Sequence, residues 1–159
     1  MKLDIILITY NQEQYIAQAV ESILMQRVND DVQVRVIVAD DCSEDKTLEI
    51  IKSYEEKSPY PFVYLPIEDN MGHVRNYQRA FTACVGDYVA ILEGDDWWSS
   101  PIHLQIHMDF LDVHRECVLT TQHPIWYFEN EQYYSPTSTS NFNINNYKII
   151  FAGGNQSII

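Results

Sequence analysis

Basic side chains are scarce in this sequence: 10 Lys and Arg stand against 23 Asp and Glu, a formal net charge of -13. A surface that acidic repels phosphate backbones and anionic lipid headgroups, so neither nucleic acid nor membrane is expected as the main partner. Cysteine is scarcer, with Cys42, Cys84 and Cys117 widely spaced. An odd set with no Cys-x-x-Cys or Cys/His pattern argues against a disulfide framework or a zinc site and fits reduced, buried thiols. The apolar run near the N-terminus, Ile5 to Ile8, is too short for a signal peptide or a membrane span, and no later stretch is long enough. A cytoplasmic chain without a membrane span is expected. No Gly-x-Gly-x-x-Gly occurs, which removes the dinucleotide-dependent dehydrogenases.

What is present suits one compact domain: 159 residues, 46% of them hydrophobic, enough for a single core. The first two-thirds alternate strand and helix. Leu3 to Thr9 is a nearly continuous apolar run, the pattern of a strand covered on both faces. Asn11 offers an N-cap, with Gln14 at capping-box distance, for a helix carrying Tyr15, Ile16, Ala19, Val20, Ile23 and Leu24 at helical spacing. Val34 to Ala39 predicts the second strand, and Ser43 can cap a helix bearing Leu48, Ile51 and Tyr54 inward. A third strand over Phe62 to Leu65 leads through the Asp69–Gly72 turn to a helix with Val74, Tyr77, Phe81 and Cys84 on one face, ended by Gly86. The fourth strand, Tyr88 to Leu92, runs into Glu93-Gly94-Asp95-Asp96-Trp97-Trp98, and Ser100-Pro101 opens a helix with Leu104, Met108 and Leu111 inward. This alternation predicts an α/β fold: a mainly parallel sheet with helices on both faces. After residue 117 the pattern changes to short strands, with a turn at Glu129-Asn130-Glu131, and to a Ser/Thr/Asn-rich loop over 135–146.

In such a sheet, ligands bind beyond the carboxyl ends of the strands. Strand one delivers Thr9-Tyr10-Asn11 there, strand two Asp40-Asp41, and strand four Glu93, Asp95 and Asp96. Adjacent carboxylates such as Asp95 and Asp96 repel unless a cation joins them or one takes a proton. Mg2+ and Mn2+ favour a few carboxylate oxygens plus phosphate oxygens, and such an ion neutralises a departing diphosphate. The plain alternative is that these acids cap the next helix or face water; the neighbouring Trp97-Trp98, read as walls of a site, favour the functional reading. Asp41 is either part of a strand-to-helix turn or an acceptor for a nucleobase N–H, and Tyr10 is either a core aromatic or a stacking partner for that base. Arg75 is either a solvated surface residue or a bidentate ligand for a diphosphate. His103 and His107, four apart, lack the His-Glu-x-x-His pattern and are read as an ordinary surface or half-buried pair.

With these residues in view, the chain resembles glycosyltransferase family 2. The motifs are Thr9-Tyr10-Asn11, Ser22-Ile23-Leu24-Met25-Gln26, Val38-Ala39-Asp40-Asp41-Cys42-Ser43, Asn70-Met71-Gly72 with Arg75-Asn76, Gly86-Asp87-Tyr88-Val89, and Glu93 to Trp98, across roughly residues 3 to 115. The resemblance implies a GT-A (Rossmann-like) fold, truncated on its C-terminal side, that binds a nucleoside diphosphate sugar, commonly a UDP-sugar, with Mn2+ or Mg2+. It implies that Tyr10 and Asp41 contact the base, that Thr9 and Asn11 line the same edge, that Arg75 approaches the phosphates, that Asp95 meets the ribose or sugar side, and that Asp96 holds the metal. Glu93 departs from the more usual Asp.

Residues 1–117 are then expected to form the nucleotide-sugar-binding core, and 118–159 the start of an acceptor-side region. Transfer with inversion needs a base for the acceptor hydroxyl; neither Glu129 nor Glu131 is assigned to it, and it is expected beyond residue 159. The implied acceptor is a saccharide or lipid-linked saccharide in polysaccharide biosynthesis, and an oligomer formed through aromatic surface is compatible with this reading. Two rivals stand beside it. One is a donor-binding fragment without transfer activity. The other is a nucleotidyltransferase, disfavoured because Tyr10-Asn11-Gln12-Glu13-Gln14 has no glycine or lysine to cradle a triphosphate.

Overall fold

The computed structural model describes residues 1–66, 68–121, 125, 127, 128, 130, 132–134 and 157–158. Five parallel strands form its main sheet in the order β3-β2-β1-β4-β7. They are β1 (Lys2–Thr9), β2 (Gln33–Asp40), β3 (Phe62–Tyr64), β4 (Tyr88–Glu93) and β7 (Ser157–Ile158). The helices are α1 (Ile16–Leu24), α2 (Thr47–Ser53), α3 (His73–Ala83) and α4 (His103–Val113). Residues 1–120 with 156–159 make one compact unit and 121–155 another. In the second, β5 (Tyr127–Phe128) and β6 (Tyr133–Tyr134) pair antiparallel, with all four rings exposed. The Ser/Thr/Asn-rich stretch 135–146, Trp126, Glu129 and Glu131 lie outside the described residues. Among the described residues no helix is long and apolar enough to cross a membrane.

β1 explains the layering. Alternate residues of a strand face opposite sides of a sheet. Leu3, Ile5 and Leu7 pack into a core with α1 and α4 through Ile16, Val20, Leu104 and Met108. Ile6 and Ile8 pack into a second core against Ala80 and Cys84 at α3. Because both faces are covered, β1 is buried from Leu3 to Thr9, which is why its sequence is a nearly continuous apolar run, interrupted by Asp4.

Three local expectations are corrected. Asn11 does not cap α1: Tyr15 stands at the N-cap with no side-chain cap bond, and Asn11 adopts a positive φ of 51°. Its Oδ1 accepts the Glu44 N–H at 2.8 Å and its own N–H donates to Ser43 Oγ at 2.9 Å, joining two loops. Ser43 in turn does not cap α2, which begins at Thr47 after an uncapped Lys46; its hydroxyl donates to Asp40 instead. In α3 the fully buried residues are Asn76 and Ala80, whereas Val74 is 74% exposed and the helix ends at Ala83, before Gly86. Gly86 has a packing role: a Cβ there would lie 2.8 Å from the Tyr88 carbonyl oxygen and 3.0 Å from that of Lys2.

Candidate functional site

The carboxyl ends of β1, β2 and β4 are stitched into one rim by their loops. Thr9 Oγ1 donates to Gln12 Oε1 at 2.8 Å, and the Thr9 carbonyl accepts the Asp41 N–H at 2.9 Å. The Gln12 N–H donates to Thr47 Oγ1 at 2.7 Å, so the first loop is fixed against the start of α2. These bonds leave Tyr10 projecting, 45% exposed.

Asp41 is buried, and its carboxylate accepts the Met71 N–H at 3.0 Å and the Gly72 N–H at 2.9 Å. Gly72 can turn there because its φ of 83° is open to glycine and strained for other residues. The Asp41 carboxylate therefore shapes the 70–72 turn as well as lining the site. Behind it, Asn76 Nδ2 donates to the Ala39 carbonyl at 2.7 Å and its Oδ1 accepts from Arg79 Nε at 2.7 Å. The rest of the Arg79 guanidinium donates to the carbonyls of Leu65 (3.2 Å), Pro66 (3.1 Å) and Asp40 (2.5 Å). Burial pushes its pKa down, though the Asp41 and Asp40 charges oppose this.

At the end of β4, Gly94 donates its N–H to the Ile8 carbonyl at 2.8 Å. A Cβ on Gly94 would lie 2.9 Å from both Thr9 Oγ1 and Ile16 Cδ1 and would collide with Gln12 Oε1, so any other residue here would force these side chains to shift. Glu93 accepts a 2.5 Å hydrogen bond from the Tyr77 hydroxyl. Asp95 and Asp96 are exposed beside it. Partial withdrawal from water, then the charges of Asp95 and Glu93, raise the pKa of Asp96. Among the described residues no ion pair reaches these three acids.

Between these ends lies an open cleft of about 390 Å³, lined by Ile8, Thr9, Tyr10, Gln12, Asp41, Asn70, Gly72, His73, Asn76, Glu93 and Asp95. That volume is within the range of small-molecule sites. Of the residues expected from the sequence, Thr9, Tyr10, Asp41 and Asp95 meet here. Asn11, Arg75 and Asp96 are not among the lining residues, and Arg75 is exposed in the first turn of α3. The tryptophans do not wall the cleft. Trp98 is 5% exposed, in the core and stacked on His103 with ring centroids 5.1 Å apart. His107 Nδ1 sits 2.6 Å from Thr120 Oγ1, and burial lowers its pKa.

Sequence reasoning gave no role to Gln12, His73 or Tyr77 at the rim, nor to Arg79. The one available signal was helical spacing: His73, Asn76, Tyr77 and Ala80 share a face of α3.

Among the described residues no group of three or more His, Cys, Asp or Glu is arranged to hold a metal. The adjacent carboxylates Asp95 and Asp96 are present, with the pKa of Asp96 raised, and the pair fits Mg2+ or Mn2+, which bind through one or two carboxylates and complete their shell with phosphate and water.

A parallel α/β sheet with a polar cleft across its carboxyl-terminal edge defines a nucleotide-binding class of fold, here of the GT-A type. The chain belongs to glycosyl transferase family 2, whose model matches residues 4–158. It is 38% identical over 125 residues to Uncharacterized protein Rv1520 of Mycobacterium tuberculosis, covering 77% of this chain and 35% of that protein. It is 32% identical over 120 residues to the poly(ribitol-phosphate) beta-N-acetylglucosaminyltransferase TarS of Staphylococcus aureus, covering 75% of this chain and 20% of TarS. The crystal structure of TarS 1–349 in complex with UDP-GlcNAc superposes with a TM-score of 0.64 at 29% identity, over 77% of this chain and 35% of that one. The chain thus spans about a third or less of the length of these relatives.

Proposed function

We propose that this chain binds a nucleoside diphosphate sugar, a UDP-sugar above others, and serves metal-dependent, inverting transfer of the sugar to a hydroxyl of a saccharide or lipid-linked saccharide in polysaccharide assembly. The observation that carries the reading is the convergence of Tyr10, Asp41, Glu93 and Asp95 on one cleft across three strand ends. The UDP-GlcNAc bound by the TarS structure supports the choice of donor.

In this reading Tyr10 offers an exposed ring for a base to stack on. Asp41, already holding the 70–72 turn, presents its remaining lone pairs to a ring N–H. Thr9 and Gln12 fix the edge beside it, while Asn11 acts from behind by locking the two loops together. Asp95 faces the ribose or sugar, and Asp96 with its neighbour would hold Mg2+ or Mn2+. Such an ion supplies charge neutralisation for the diphosphate leaving group. Arg75, long and exposed, is the candidate for phosphates at the cleft mouth.

The reaction forms a bond from the acceptor oxygen to the anomeric carbon and breaks the bond from that carbon to the diphosphate oxygen. The hydroxyl proton passes to a base, to which no described residue is assigned.

Calorimetric titration with UDP and Mn2+ tests the reading. Wild-type protein is expected to bind in a metal-dependent manner, and Asp96→Ala to lose about 100-fold in affinity, on the order of 3 kcal/mol. Binding that is indifferent to metal, or unchanged in Asp96→Ala, removes it.

A further inference from the structure

The charge balance around the cleft is one-sided. Among the described residues that line it, Asp41, Glu93 and Asp95 are acids, and His73 is the one with a basic side chain. A diphosphate placed there needs donors from the protein as well as from an ion. The two arginines of α3 are poorly placed to supply them from inside the cleft. Arg79 directs its guanidinium to Asn76 and to the carbonyls of Leu65, Pro66 and Asp40. Arg75 is two residues from His73, about 200° around the helix, and is not a lining residue.

His73, by contrast, is on the cleft face of α3 with Asn76, one turn from Tyr77. Its ring packs edge-to-face on Tyr77 with centroids 4.8 Å apart. The Tyr77 hydroxyl is in turn held by Glu93, so the imidazole rests on a side chain that is itself anchored to the end of β4. Backbone amides of the same turn are already engaged: those of Met71 and Gly72 donate to Asp41. Among the described residues, the imidazole of His73 has no hydrogen-bond partner, so its N–H is a side-chain donor that α3 can offer to the cleft.

Building on the donor-site reading above, we infer that His73 is a specificity-determining residue that hydrogen-bonds the diphosphate of the donor, with Tyr77 as the positioning residue beneath it. His73 selects for the diphosphate and leaves the nucleoside to Tyr10 and Asp41. His73 is exposed, so its replacement leaves the fold intact.

The test is calorimetry on the 159-residue chain at fixed Mg2+ with UDP and UDP-GlcNAc, and with uridine measured by displacement of UDP. His73→Ala is expected to weaken UDP and UDP-GlcNAc about tenfold, the loss of one hydrogen bond to a charged group, and to leave uridine within about twofold. His73→Gln, which keeps an N–H donor, recovers part of the loss. Equal losses for uridine and UDP overturn the inference. If wild-type protein binds UDP and His73→Ala binds it as tightly, the His73 inference alone falls. If wild-type protein binds none of the three ligands, the donor-site reading falls with it.

Discussion

The two ends of the sheet treat carboxylates in opposite ways. At the amino ends of the strands, Asp4 is 1% exposed yet fully partnered. It accepts from Arg35 at 2.5 and 3.0 Å and from the N–H groups of Val85 and Gly86 at 2.7 and 2.8 Å. Burial raises its pKa, but Arg35 and the two amides more than offset this, and the net pKa is lowered. At the carboxyl ends, Glu93, Asp95 and Asp96 stand together with no cation among the described residues, and the pKa of Asp96 is raised. One end is electrostatically closed and the other open. A closed cluster stabilises the fold; an open one stores a repulsion that a bound cation relieves.

The contrast can be broken most severely at the closed end. Asp4→Asn is expected to lower stability by about 2–4 kcal/mol, since it leaves Arg35 without its buried partner. Urea unfolding would measure it. Because the folded pKa of Asp4 lies below its ordinary 3.8, this stabilisation is fully present above that value and fades as pH falls through the folded pKa. Stability of the wild type should therefore decline more steeply with acid than that of Asp4→Asn; parallel acid limbs would refute the assignment.

A smaller effect is expected where the open end is sealed onto β1. Gly94→Ala drives a methyl against Thr9, Ile16 and Gln12 and should cost about 1–3 kcal/mol. UDP affinity should fall with it, because the displaced Thr9–Gln12 pair forms the cleft edge. A loss of stability with full affinity would show that the edge tolerates the shift.

The smallest effect carries the opposite sign. A carboxyl whose folded pKa is raised stabilises the fold in its protonated form, and that contribution is lost as pH rises through the folded pKa. Metal-free Asp96→Asn should therefore melt slightly higher than wild type at pH 7, by about 1–2 °C, with the gap closing near pH 3. A lower melting temperature at pH 7 would mean that Asp96 is not held against its neighbours.

The comparison also shows where the sequence was readable. Both ends share strands that were legible because a strand covered on two faces is mostly apolar, as β1 is from Ile5 to Ile8 and β2 from Val36 to Ala39. Asp41 and Asp95 were legible for the related reason that polar residues directly after such a run fall at a strand end. Asn11 was misread as a helix cap because its true partners, Ser43 and Glu44, are more than thirty residues away, beyond any local capping signal. Trp98 was misread as a wall because a tryptophan beside acids has the same composition whether it faces a ligand or the core.

The sequence by itself determined the alternation of strand and helix, the parallel sheet, and the delivery of acids to its carboxyl edge, since periodicity and burial act over a few neighbouring residues. Only the tertiary structure decided which residues face one another across that edge. His73 and Asn76 line the cleft while Arg75 is not among its lining residues, and Arg79 braces the strand ends. That choice depends on the rotation of α3 against β1 and β2, which is set by how Ala80 and Asn76 pack beneath it and not by any pattern within the helix alone.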